Sequence, residues 1–341
     1  MNPKLSIPVI DLHCDLLLYL QRDPNRTPLD LQSRCALPQH QAGGVKLQVM
    51  AHFTTTGEES VRRGAAQLAC YQKILQKYAE HYEALTSRWQ LESLFEQPKI
   101  RLLWAVENAS LFWLEHEPFS QGMERLELAI RQQERPLYIG LTWNEENRFG
   151  GGVHSKTGLK PDGCKLLDYL DARGIAVDLS HASDELAGEL LSYIDRRQLQ
   201  IPVMASHSNF RQAADVPRNM PDCLVRELLE HRGLIGLNFI RSFVGPQGID
   251  SFLRHVAHGL TMRAHEHLSF GADFFYEPDL PPESQRHGPF FSEDLKDASV
   301  YPALLGVMQQ KLKLPEAQLR KIANGNALAF LHRHYFAQLP R

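Results

Sequence analysis

The sequence lacks most of the signatures that place a chain in a class at once. It has no run of about 18 apolar residues, so no membrane-spanning helix is predicted. Its five cysteines (Cys14, Cys35, Cys70, Cys164, Cys223) are widely spaced, odd in number, and form no C-x-x-C pair. That argues against a disulfide framework and against a thiolate zinc site. Lys and Arg form no basic run, and 37 basic against 40 acidic residues leave a formal charge of −3. This balance gives no reason to bind nucleic acid or an anionic membrane. No G-x-G-x-x-G or G-K-[ST] turn follows the first apolar run, and no G-x-S-x-G elbow is present. A nucleotide cradle and serine-based hydrolysis therefore lack their usual supports. Neither a secretory leader at the start nor a hydrophobic anchor signal at the end is apparent, so a cytoplasmic protein is expected.

What is present is a regular alternation. Hydrophobic residues at 43% and charged residues at 23% are ordinary for a globular chain and argue against disorder. Short apolar runs, several rich in β-branched residues, occur at Pro8–Leu12, Val45–His52, Arg101–Val106, Leu137–Thr142, Ile175–Leu179, Pro202–Ala205, Gly233–Phe239 and Leu268–Ala272. Such runs, bounded by polar or turn residues, read as strands buried on both faces. Between them lie stretches with helical spacing. Val61–Tyr82, for example, carries Leu68, Tyr71, Leu75 and Tyr78 at intervals of three and four. Eight strands alternating with helices predict a (β/α)8 TIM barrel, one domain over residues 1–341. The Pro-rich stretch Glu277–Phe290 is expected to be a loop rather than a domain boundary.

In a barrel the chemistry sits at the C-terminal ends of the strands, so the residues there are the ones to weigh. The first run ends at His13 and Asp15, the third at Glu107, the fifth at His181, the sixth at His207 and the eighth at Asp273. Each alone has a plain explanation: Asp15 as the N-cap of a following helix, each histidine as a satisfied structural group. Together they supply imidazole and carboxylate ligands without thiolate, a set suited to Zn²⁺ or another divalent ion. Five ligands exceed the need of one catalytic zinc, whereas two ions sharing a bridging carboxylate would use all five. A further carboxylate nearby would carry protons for hydrolysis. His255, His258, His265 and His267 also cluster, but their flanking charges fit a solvated helix and its exit. Cys14 lies between two candidate ligands but on the opposite strand face.

On these residues the sequence resembles the renal (membrane) dipeptidase family of binuclear zinc metallopeptidases. The likeness begins with Ile10-Asp11-Leu12-His13-Cys14-Asp15 and Gly43-Gly44-Val45. It continues through Glu107, Asp178-Leu179-Ser180-His181 and Ser206-His207-Ser208. Pro217-Arg218-Asn219-Met220-Pro221-Asp222 is its most specific stretch, and Gly271-Ala272-Asp273-Phe274 and Gly325-Asn326 complete the order. The resemblance implies a barrel in which His13 and Asp15 bind one zinc, His181 and His207 the other, and Glu107 bridges them. It implies Asp273 as catalytic acid/base and Arg218 as the partner of a dipeptide's free carboxylate. It also suggests a homodimer.

Three positions depart from the family pattern. Trp143, in Leu141-Thr142-Trp143-Asn144, stands where renal-type members carry a substrate-contacting histidine, and an indole has one N–H donor and no acceptor nitrogen. Asn144 or His154 is then expected to take that contact. Phe275 replaces an acidic residue common after the Asp-Phe pair, and Asn108 a common glycine after the bridging glutamate. The reading is a metal-dependent dipeptidase holding two Zn²⁺ or similar ions, with a small dipeptide as substrate and a metal-bridging hydroxide as nucleophile. Two other readings stay open: a related hydrolase of another amide or a cyclic amide, and a non-catalytic barrel protein.

Overall fold

Nine parallel strands form a single sheet in this computed structural model, which describes residues 7–280 and 288–336. They are β1 (Val9–Cys14), β2 (Val45–His52), β3 (Tyr82–Ala84), β4 (Ile100–Val106), β5 (Tyr138–Gly140), β6 (Ala176–Asp178), β7 (Val203–Ala205), β8 (Leu234–Leu237) and β9 (Leu268–Phe270). Their order is β2-β1-β9-β8-β7-β6-β5-β4-β3, and β2 also pairs with β4. That extra pairing closes eight of the strands into a (β/α)8 barrel, as the alternation of runs predicts. Residues 281–287 of the Pro-rich stretch, and the end residues weighed for leader and anchor signals, lie outside the described residues.

The ninth strand is a correction. The helix expected to run through Tyr82 ends at Lys77; the chain then turns, and Tyr82–Ala84 pairs with Ile100–Leu102 at the start of β4. The far end of β4 instead pairs with β5, Val106 against Ile139, so β3 is a wedge beside the barrel. Three residues are too few to interrupt a periodic signal.

Strand alternation divides the core in two. Along β4, Leu102, Trp104 and Val106 join the cluster packed against the helices. Leu103 and Ala105 instead join Ile10, Leu12, Leu47 and Val49 in the second cluster. Phe330, Leu331 and Tyr335 of the final helical segment pack into this second cluster. Asn324 Nδ2 donates to the Pro8 carbonyl just before β1, and the Tyr335 hydroxyl donates to the Arg135 carbonyl before β5. The final segment thus closes the N-terminal end of the barrel and leaves the opposite mouth for the site.

Two glycines shape that mouth. A Cβ at Gly236 in β8, or at Gly271 just after β9, would stand 1.9 Å from the Ser206 carbonyl oxygen. Only glycine admits the turn after β7 so close to both neighbours. The second histidine cluster also differs from expectation. His255, on the helix Ile249–Thr261, is buried rather than solvated: its Nδ1 accepts from the Phe210 N–H and its Nε2 donates to the Val244 carbonyl.

Candidate metal centre

All six candidate ligand and proton-carrying residues lie at one end of the barrel. His13 is near the end of β1 and Asp15 follows it; Glu107 follows β4; His181, His207 and Asp273 follow β6, β7 and β9. Parallel strands put these ends on a common rim. His13 Nε2 lies 3.5 Å from Glu107 Oε2, 3.5 Å from Asp273 Oδ1 and 3.9 Å from Asp15 Oδ1. The other carboxylate oxygen, Glu107 Oε1, lies 3.0 Å from His181 Nε2 and 3.9 Å from His207 Nε2. Glu107 thus faces His13 with one oxygen and the His181–His207 pair with the other.

Local geometry favours function over the plainer explanations. Asp15 stands at the N-cap position of the helix Leu16–Arg22, but its side chain makes no capping bond and its Oδ1 has no hydrogen-bond partner. His181 and Asp273 adopt left-handed backbone, with φ of 67° and 64°. Such conformations are uncommon for residues with a Cβ and concentrate at functional sites.

The hydrogen bonds behind the histidines define what faces forward. His181 Nδ1 donates to Asn144 Oδ1 at 2.9 Å. His207 Nδ1 donates to Ser206 Oγ at 2.7 Å, because that hydroxyl spends its own proton on Asp178 Oδ2. His13 Nδ1 donates to the Tyr138 hydroxyl at 2.8 Å, which in turn donates to the Leu12 carbonyl. With every Nδ1 carrying the proton, all three Nε2 atoms present lone pairs to the same space. His181 Nε2 and His207 Nε2 confront each other at 3.0 Å, an arrangement that calls for a cation between them.

Electrostatics agree. Burial, reinforced by the Arg218 charge, holds His181 and His207 well below the usual imidazole range, so both are neutral. Burial pushes Glu107 up to about 8, with Arg218 and the Trp143 indole opposing the rise. Burial and the neighbouring Glu107 charge raise Asp15 well above the carboxylate range, and burial lifts Asp273 to about 6. Carboxylates raised in this way beside neutral imidazoles want positive charge. His13 Nε2, Asp15 Oδ1 and Glu107 Oε2, all buried, have no hydrogen-bond partner. These residues fit divalent cations.

The remaining candidates divide. Trp143 and Asn144 line a cavity of about 210 Å³ over Asp15, Glu107, His181 and Asp273. Arg218 is buried just behind: one guanidinium nitrogen donates to Ser208 Oγ, another to the His207 carbonyl, and its Nε is unpartnered. His154 does not join them. It is exposed, pairs with Glu145 at 3.0 Å, and lines a different surface cavity. Asn108 donates to the Thr54 carbonyl and accepts from the Ser110 N–H and from Asn147 Nδ2, so it ties together the turns after β2, β4 and β5 without lining the cavity. Sequence reasoning missed Tyr138 and Asn238, whose Nδ2 donates to Asp273 Oδ2 at 2.8 Å. It also left Asp178 and Ser206 without a role, although both lie inside the motifs that carry His181 and His207.

A parallel barrel whose C-terminal mouth gathers buried imidazole lone pairs and carboxylates presents the donor set of a divalent-metal site. The sequence profile described as membrane dipeptidase, peptidase family M19, matches residues 4–336, and the chain belongs to that family. An uncharacterized dipeptidase of Schizosaccharomyces pombe is 27% identical over 224 residues, covering 61% of this chain and 50% of the relative. A second from the same yeast is 24% identical, covering 94% of this chain and 79% of its own length. The chain thus spans only about half the length of the first of these relatives. Among solved structures, a metallopeptidase from Rhodobacter sphaeroides liganded with a phosphinate mimic of L-Ala-D-Ala aligns with a TM-score of 0.81 at 21% identity. That alignment covers 96% of this chain and 99% of the other. A family M19 dipeptidase aligns with a TM-score of 0.80 at 20% identity, over 97% and 100% of the two chains.

Proposed function

We propose that this chain is a metal-dependent dipeptidase, acting as a single catalytic domain. The observation that carries the proposal is the convergence of three imidazole lone pairs on Glu107, Asp15 and Asp273. His13 and Asp15 would hold one divalent ion, His181 and His207 a second, and Glu107 would stand between them. When bound, such a pair supplies Lewis acidity toward the scissile carbonyl and a nucleophilic water at neutral pH. Zn²⁺ suits the donor set, which contains no thiolate.

The chain's own residues supply the rest. Asp273, raised to about 6 and anchored by Asn238, takes the proton of the attacking water and returns it to the leaving amine. Arg218 offers a buried cation to the free carboxylate of the substrate, with its unpartnered Nε–H as the donor. A cavity of about 210 Å³ is small for a ligand site and matches a dipeptide better than a longer peptide. Asn144 orients His181 and Trp143 closes one side of the cavity.

The test is metal content per chain on protein purified without chelator, together with hydrolysis of a mixed L-L and L-D dipeptide panel. About two ions per chain, with dipeptide turnover lost on chelation, is the expected result. Metal without dipeptide turnover moves the reading to another amide. Protein that takes up no metal even when Zn²⁺ is added overturns the ligand assignment.

A further inference from the structure

The cavity over the candidate ligands has an unusual lining for a site that acts on a zwitterion. Its walls are largely aromatic and aliphatic: Phe53 and Trp143 on one side, with Phe243, Phe275, Tyr276 and Leu280 around the rest. Its charged lining consists of Asp15, Glu107, Asp273 and Asp279, and no Lys or Arg lines it among the described residues. The first three belong to the cluster already described. Asp279 is taken by Arg26, which grips both of its oxygens. Beyond the cluster, the described lining therefore offers neither a cation for an acidic side chain nor a spare carboxylate for a basic one.

The walls are fixed by contacts among themselves. Phe53 and Trp143 meet with ring centroids 4.9 Å apart, and Phe275 meets Phe290 edge-on at 5.2 Å. Tyr19 and Tyr276 meet edge-on at 5.4 Å, with the Arg26 guanidinium 4.3 Å and 4.9 Å from the two ring centres. Pre-formed apolar walls of this kind reward side chains that fill them and give little to a hydrogen atom or a methyl group.

Resting on the dipeptidase reading above, we infer that the substrates of this chain are dipeptides with bulky apolar side chains, and that acidic side chains are rejected. An acidic side chain would lie against these apolar walls rather than at the ions and Arg218, which serve the scissile carbonyl and the terminal carboxylate, and desolvating it there without a counter-charge carries a penalty. Trp143 makes the same point locally, since it places an apolar ring 5.9 Å from that of His181.

The experiment compares kcat/KM of the metal-replete protein for Phe-Leu, Leu-Leu, Ala-Ala, Gly-Gly and Glu-Glu. In parallel, calorimetry measures binding of the same dipeptides to chelator-treated protein, where no turnover occurs. Expected is a preference of about 10- to 100-fold for Phe-Leu and Leu-Leu over Ala-Ala, with Glu-Glu poorest, and the same order in binding. Phe53→Ala should narrow the Phe-Leu to Ala-Ala ratio by about tenfold. Turnover of Ala-Ala or Glu-Glu equal to Phe-Leu overturns the inference while leaving the dipeptidase reading intact. Absence of any dipeptide turnover removes that reading, and the binding order then decides: Ala-Ala or Glu-Glu bound as tightly as Phe-Leu overturns the apolar specificity as well.

Discussion

His13 and Tyr138 are 125 positions apart in the chain, yet the histidine Nδ1 and the tyrosine hydroxyl lie 2.8 Å apart in the barrel interior. Because that hydroxyl passes its own proton to the Leu12 carbonyl, it receives the Nδ1 proton and fixes the tautomer of His13. The Nε2 lone pair is thereby held toward Asp15, Glu107 and Asp273. Tyr138 does not line the cavity, so on the reading proposed above its part is to position His13.

Tyr138→Phe is expected to weaken divalent-ion binding by about 10- to 100-fold while leaving the fold intact, since only one hydroxyl is removed. Competition with a chromogenic chelator reads the affinity, and far-UV circular dichroism reads the fold. Unaltered metal affinity in a folded variant would show that the tautomer is fixed by something else.

Much of this site was legible in the sequence, for a reason visible in β1. Strands of a parallel barrel end on one rim, so polar residues closing separate apolar runs must meet there: His13, Asp15, Glu107, His181, His207 and Asp273. What supports them was not legible. Tyr138 and Asn238 find their partners only when the sheet closes, and nothing local to Tyr138 distinguishes it from a core aromatic. His154 shows the converse failure. Its type suited the expected substrate contact, but the loop carrying it turns outward, where Glu145 pairs with it. The short strand Tyr82–Ala84 was hidden for a similar reason, because its pairing with Ile100–Leu102 is a tertiary fact.

A pH dependence of stability follows from His255. It is buried, and its Nδ1 accepts a backbone N–H from Phe210 while its Nε2 donates to Val244, so the neutral ring is required. Burial lowers its pKa from 6.5 to about 4. Between those values the unfolded chain binds the extra proton, so stability rises with pH. The contribution is fully present above pH 6.5 and is lost as pH falls toward about 4. At pH 5 the loss amounts to about 2 kcal/mol relative to neutral pH. His255→Gln should be less stable at neutral pH by about 1–3 kcal/mol, for want of well-placed partners. It should also fall less between pH 7.5 and 5 than the parent, by about 2 kcal/mol. Urea unfolding of both chelator-treated proteins at the two pH values measures the difference, and equal falls would remove His255 as the cause.

The last prediction concerns Arg26, which lies far from the candidate ligands but governs the cavity wall. Its guanidinium is held between the rings of Tyr19 and Tyr276 and bonds Asp279 on both oxygens, one at 2.8 Å. Arg34 adds a second tie to the same segment through Glu277 at 3.0 Å. Tyr19, Tyr276 and Asp279 all line the cavity, so Arg26 fixes three parts of its wall without lining it. Arg26→Met keeps much of the apolar stem and removes the charge. It leaves Asp279 unpaired at the cavity edge and frees the two tyrosine rings to move. The change should raise KM for an apolar dipeptide by about tenfold, equivalent to about 1.4 kcal/mol of binding, with kcat nearly preserved. Arg26→Lys should recover little, because a single ammonium cannot reproduce a bidentate grip between two aromatic faces. Steady-state kinetics on Phe-Leu separates the two parameters. A fall in kcat at constant KM would place Arg26 in the reaction rather than in the wall, and the cavity would then owe its shape to other contacts.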